Sequence, residues 1–113
     1  MRANDLILYK KTEVLLNDTV YPMLKHFPQS EKFALCQEIK QAFYELLKYI
    51  VLANNVKEKR RLYQEEADAR VKLLLVLFSV AKSQRYITQK KNYFLQTALE
   101  EIGKILGGWM RSR

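Results

Sequence analysis

The chain has 113 residues, 49% of them hydrophobic, with 20 Lys and Arg against 12 Asp and Glu for a formal net charge of +8. That length allows one hydrophobic core but not two, and three glycines and two prolines argue for long helices with short connections rather than an all-strand sandwich. A single cysteine excludes an internal disulfide, and a single histidine without a Glu-x-x-His pattern argues against a carboxylate-bridged metal site.

The first predicted helix covers residues 5–25. Asp5 is its cap, and Leu6, Tyr9, Leu16, Val20 and Leu24 recur at spacings near three and four. Pro22 lacks the amide hydrogen that a helix interior uses and crowds the preceding turn, so it is expected to kink or end the regular part. A tight connection from His26 to Gln29 leads to a second helix over 30–54, opened by Ser30 or a neighbour. Its apolar residues Cys36, Ile39, Phe43, Leu46, Ile50 and Ala53 alternate three and four apart, with Gln37, Lys40, Gln41, Glu45 and Lys48 off that seam.

A basic passage over residues 56–61 leads into a third helix over 58–84. Residues 71–81 are apolar on nearly every side of it, with Leu73, Leu74, Leu75, Val76, Leu77 and Phe78 consecutive. A helix of this kind needs cover all round. It is too short for a bilayer, which takes about 20 apolar residues. Three companion helices shield only part of its circumference, so a neighbouring subunit is expected to shield the rest. The fourth helix covers 88–107, with Thr88 as N-cap and Leu95, Leu99, Ile102 and Leu106 facing inward. Gly103 is expected at a close helix approach and Gly107-Gly108 at the helix end, where glycine accepts a left-handed backbone. Trp109 then folds back over an apolar surface. Leu74, Leu75, Phe78 and Trp109 are assigned to the core or to an oligomer interface. The predicted class is all-α, an antiparallel up-down-up-down four-helix bundle.

Chemistry-bearing residues are sparse. His26, beside a turn, reads as a surface or capping residue, and Cys36 as a small buried hydrophobe. Glu65, Glu66 and Asp68, and separately Glu100 and Glu101, read as solvated or ion-paired faces rather than a general acid and base. The expectation is therefore no catalytic residue, no metal and no cofactor. No N-terminal stretch combines a basic start, an apolar run and a small-residue cleavage site, which points to a cytoplasmic location. A membrane-surface role is disfavoured because no helix joins a basic face to a large apolar one.

The informative feature is charge placement. Between Asp68 and Glu100 there is no acidic side chain, whereas Arg70, Lys72, Lys82, Arg85, Lys90 and Lys91 are all basic. With Tyr86 and Tyr93 interleaved, this one-sign surface has the makings of a site for a phosphate backbone, with rings for base stacking. The alternative is that the lysines only solubilise the bundle and the tyrosines are core. The passage from Lys57 to Arg61 is a weaker binding patch, because it contains Glu58 and precedes Glu65 and Glu66.

Two short signatures add to this. Phe27-Pro28-Gln29-Ser30-Glu31-Lys32-Phe33-Ala34-Leu35 resembles the opening of the second helix in a class of small four-helix bundle proteins. Glu101-Ile102-Gly103-Lys104-Ile105-Leu106-Gly107-Gly108-Trp109 resembles the terminus of one branch of them, the accessory variability determinant proteins of diversity-generating retroelements. The similarity runs over nearly the whole chain, including Glu66-Ala67-Asp68. The resemblance implies a homopentameric barrel of four-helix bundles with a basic surface. It also implies partners: RNA or DNA bound with little sequence preference, and the element's reverse transcriptase, whose error-prone cDNA synthesis such proteins support without catalytic activity of their own. Two positions depart from the pattern: Cys36, where relatives often have glycine, and Ser79, where many have arginine ahead of the apolar-Ala pair. An oligomeric four-helix scaffold with incidental positive charge is the alternative function.

Overall fold

The computed structural model describes the backbone of residues 3–112 and the side chains of residues 7–112. Leu6 and the side chain of Asp5 thus lie outside the described side chains. Among the described residues the chain is helical with no strand, and four long helices account for most of it. Helix α1 occupies residues 3–24, α2 runs Leu35–Asn55, α3 Arg60–Ser83 and α4 Gln89–Arg111. Each packs on its sequence neighbour, and α4 closes against α1. The resulting bundle measures 43 × 25 × 20 Å, which suits a 24-residue α3 of about 36 Å. The α1–α2 and α3–α4 corners sit together at one end, as the Phe27–Tyr86 ring contact at 5.4 Å shows.

Helix α1 departs from regular geometry where Pro22 requires it. Ala3–Val14 and Tyr21–Leu24 are α-helical, but Leu15–Val20 between them is a π-helical turn in which the Tyr21 amide donates to the Leu16 carbonyl. Pro22 has no N–H for the Asp18 carbonyl, and the widened turn absorbs that break without ending the helix. Leu8, Thr12 and Leu15 are buried before the turn, and Leu16, Val20, Met23, Leu24 and Phe27 from it onward. The helix begins by Ala3, so Asp5 lies inside it rather than ahead of it as a cap.

The seam read for α2 is buried in full: Cys36, Ile39, Phe43, Leu46, Ile50 and Ala53 are 0–2% exposed. Its regular part begins five residues later than expected, after a 3-10 turn over Gln29–Glu31. The N-cap position is Ala34, and it is Ser30's neighbour Glu31 whose Oε1 accepts from the Leu35 amide at 3.3 Å. Basic side chains close two helix C-termini. Lys32 Nζ donates to the Leu24 and Lys25 carbonyls at 2.9 and 3.0 Å, and Arg60 donates to those of Ala53 and Asn54 at 2.7 and 3.0 Å. These are the orphan acceptors that a helix end leaves behind.

Leu95, Leu99, Ile102 and Leu106 of α4 face inward as expected. The helix does not stop at Gly107-Gly108, however. It continues to Arg111, no glycine has a positive φ, and Trp109 is buried from within the helix. Two glycines in a helix cost about 2 kcal/mol, less than the roughly 4–6 kcal/mol that burying an indole returns at about 25 cal/mol per Å². Ser112 completes the end, its amide donating to the Gly108 and Trp109 carbonyls at 3.1 Å. A Cβ added at Gly103 would meet Val71 Cγ1 at 3.7 Å, an ordinary contact, so that approach does not itself require glycine.

In α3 the inward positions are Ala67, Val71, Leu74, Phe78 and Ala81. Leu74 and Phe78 are fully buried within the single chain, and Leu75 is partly so. Left over is an outward stripe of Leu73, Val76 and Val80, exposed by 41, 58 and 40%. On α3 it is this stripe and Leu62, not Leu74 or Phe78, that one chain leaves without apolar cover, and Trp109 of α4 is likewise buried.

Candidate nucleic-acid interface

The α3–α4 corner is built by two local devices. At the end of α3 the Tyr86 amide donates to the Ala81 carbonyl at 2.9 Å and the Arg85 amide to that of Lys82 at 3.0 Å. This is a Schellman closure. The residue that takes the left-handed conformation in it is Arg85, at φ 65°, where glycine is the usual occupant. Thr88 then opens α4 as expected, its Oγ1 accepting from the Lys91 amide at 3.0 Å.

This corner gathers Lys82, Arg85, Lys90 and Lys91. Lys82, Arg85 and Lys91 line an open groove of about 860 Å³, and Lys90 is exposed beside it. Among the described residues none of the four makes an ion pair. The Lys91 ammonium lies 6.0 Å from the centre of the Phe94 ring. The opposite wall comes from α1 and the turn after it and includes Asp18, Thr19 and His26. Sequence reasoning missed that wall. Its signal was Pro22, read as a break in the helix rather than as a cause of rotation.

Arg70 and Lys72 stand apart. Lys72 is about 15 Å along α3 from Lys82, with its ammonium 3.0 Å from both Asp68 carboxylate oxygens. The side chain of Arg70 is 23% exposed and bridges Glu45 of α2 at 3.1 Å and Glu66 of its own helix at 2.6 Å. Its guanidinium also sits 4.9 Å over the Tyr49 ring. Burial opposes the Arg70 charge, but the two carboxylates more than offset it and its pKa rises. The Arg70 hydrogen bond in turn, with help from Gln41, holds the Glu45 carboxyl below its usual range. Arg70 is a clamp between α2 and α3.

The two tyrosines also differ. Tyr86 donates its hydroxyl to Glu31 Oε2 at 2.9 Å, a bond that raises the phenol pKa, and its ring packs on Phe27. Glu31 thereby ties the two corners together. Tyr93, 73% exposed on α4, is free to stack. Cys36 is buried, its thiol pKa raised by desolvation, with Sγ 3.9 Å from the Leu24 carbonyl oxygen. Ser79 lies on the outward stripe and accepts from Gln96 Nε2 at 3.3 Å. Among the described residues no group of three or more His, Cys, Asp or Glu is placed to hold a metal ion, and no helix is long and apolar enough to cross a membrane.

The model of the bAvd-like family matches residues 6–113. The chain belongs to the bAvd-like family. This is not a known enzyme family, and it suggests an accessory role. No curated protein matches this bAvd-like chain. Among solved structures it is similar to a protein of unknown function from the S23 ribosomal protein family of Bacteroides thetaiotaomicron VPI-5482. The two share a TM-score of 0.84 and 14% identity over 96% of this chain and 99% of the other. At that identity the likeness establishes the four-helix fold alone.

Proposed function

We propose that this bAvd-like chain is a non-enzymatic accessory protein of a diversity-generating retroelement. In this reading it binds RNA or DNA and the element's reverse transcriptase, and so supports mutagenic cDNA synthesis and retrohoming in the cytoplasm. The observation that carries the reading is the cluster of Lys82, Arg85, Lys90 and Lys91 at one corner, without ion pairs among the described residues and in a stretch with no acidic side chain from residue 69 to 99. Cations in that state release counterions when they meet phosphates and bind with little regard to base. Tyr93 beside them adds a stacking surface.

Assembly into a homopentamer is part of the proposal. The apolar stripe of Leu73, Val76 and Val80 supports self-association, and repetition around a ring would join the basic corners into continuous positive potential. The same stripe is the observation that favours the second reading, an oligomeric scaffold without a nucleic-acid role.

The test is binding of labelled single-stranded RNA and DNA at graded salt, with the mass of the protein measured by light scattering. We expect an oligomer several times the 13.4 kDa chain mass and affinity that falls steeply with salt. Replacing Lys82, Arg85, Lys90 and Lys91 by Glu abolishes binding and leaves the helical content intact. An oligomer without affinity at low salt decides for the scaffold, and a monomer counts against both readings.

A further inference from the structure

The groove at the α3–α4 corner has two unlike walls. One carries Lys82, Arg85 and Lys91 and no acidic group, whereas the other, from α1 and the turn after it, carries Asp18, Thr19 and His26. Buried Met23 and Ile87 lie between them as an apolar floor. We propose that this groove holds the terminal nucleotide of a strand, with its phosphomonoester against the cationic wall and its sugar and base toward α1 and the floor. The proposal rests on the nucleic-acid reading above and narrows it to one end of the strand.

Three features favour an end over a passing backbone. A terminal phosphate carries about −1.5 to −2 charges at pH 7, against one for each diester, and three cations on one wall suit such a concentrated charge. Asp18 repels a continuous run of phosphates along the α1 wall, yet a carboxylate accepts a hydrogen bond from a sugar hydroxyl or a base amine. The volume of about 860 Å³ lies within the roughly 300–1,000 Å³ of small-ligand sites, which pair apolar surface with a few polar groups. Arg85 adds a further point. It holds its left-handed backbone at a steric cost that glycine would not incur, so the position keeps a guanidinium where the turn alone asks for none.

The experiment compares short oligothymidylates with a 5′-phosphate and with a 5′-hydroxyl, by anisotropy, on the full chain and two variants. The wild type should prefer the phosphorylated strand by about tenfold or more, the scale of a charge-assisted hydrogen bond. Arg85→Gly, which relieves the backbone and should melt no lower than wild type, should lose that preference. Lys72→Gln, outside the groove, should keep it. Thymidine 5′-monophosphate is then added as competitor. Displacement extends the site to free nucleotides, and no displacement confines it to strand ends; both leave it in place. Equal affinity for the two strands, or a preference that survives in Arg85→Gly, overturns the proposal. A long oligothymidylate serves as the control: if it binds while the short strands show no preference, only the groove assignment falls, whereas if it fails to bind at low salt the nucleic-acid reading falls too.

Discussion

The α2–α3 and α3–α4 corners each carry four basic residues and use them differently. At the α2–α3 corner Arg60 is committed to the Ala53 and Asn54 carbonyls. Arg61 is shared between Glu65 at 3.4 Å and the Met110 carbonyl at 3.3 Å. Arg60 and Arg61 thus hold helix ends together, while Lys57 and Lys59 stay exposed on either side of Glu58. At the α3–α4 corner the backbone closes itself through the Schellman turn and Thr88, so Lys82, Arg85, Lys90 and Lys91 are left to face solvent. Formal charge is thus a poor guide to binding potential, because what counts is whether the fold has already given the cation an acceptor.

Variants at the two ends should separate these roles. The largest effect is expected from Lys82, Arg85, Lys90 and Lys91→Glu, which removes four phosphate contacts. It should abolish binding throughout the salt titration, since four contacts are worth about 3 in the slope of log affinity against log salt for a single strand. In the same titration Lys57 and Lys59→Glu should still bind, with the slope changed far less. Next in size is Arg60→Ala, which orphans two carbonyls at the end of α2. Chemical denaturation should show a loss of about 2 kcal/mol, with nucleic-acid affinity little changed. Arg85→Gly should act in the opposite direction, raising stability by about 1 kcal/mol through relief of the left-handed backbone. If it destabilises instead, the Arg85 side chain has a structural role that would erase the contrast between the ends.

The smallest effect concerns the clamp between the ends. The pKa of Glu45 is lower in the folded chain than in the unfolded one, first through its hydrogen bond from Arg70. Its contribution is therefore complete above the unfolded value of about 4.3 and is lost as pH falls through the folded value. Denaturation midpoints measured from pH 6 downward, stepping below ~4, should decline less steeply for Glu45→Gln than for wild type.

Much of this architecture was legible in the sequence, and its failures have physical causes. The α2 seam was readable because a 3.6-residue period with no glycine or proline has one solution, and the inward face of α4 because the same period runs on through Gly103. The end of α4 was misread because Gly107-Gly108 was weighed by local propensity, whereas burial of Trp109 in the core decides the matter. Of the six basic residues, four gather at one corner. Arg70 could not be recognised as a clamp, since its partner Glu45 is 25 residues away on another helix. In α1 the expected Leu16, Val20 and Leu24 are buried, whereas Tyr9, ahead of the π turn, is off the inward face. Leu8 and Thr12 take the inward face there, because a stripe counted back at constant period from Leu16 does not register the π turn that separates the two phases.

That turn has a consequence for the helix as a counting device. Continued at α-helical spacing, the run Leu8, Thr12, Leu15 would bury residues 19, 22 and 26, yet the chain buries Val20, Met23 and Phe27. One surplus residue has advanced the phase by about 100°, which is why Thr19, Pro22 and His26 line the groove and not the core. Helix α1 is thus two helices of different phase spliced by an inserted residue. Removing a single exposed residue from the splice, such as Asn17, would bring both buried stripes into one register, in a segment where deletion ordinarily throws every later side chain off its face.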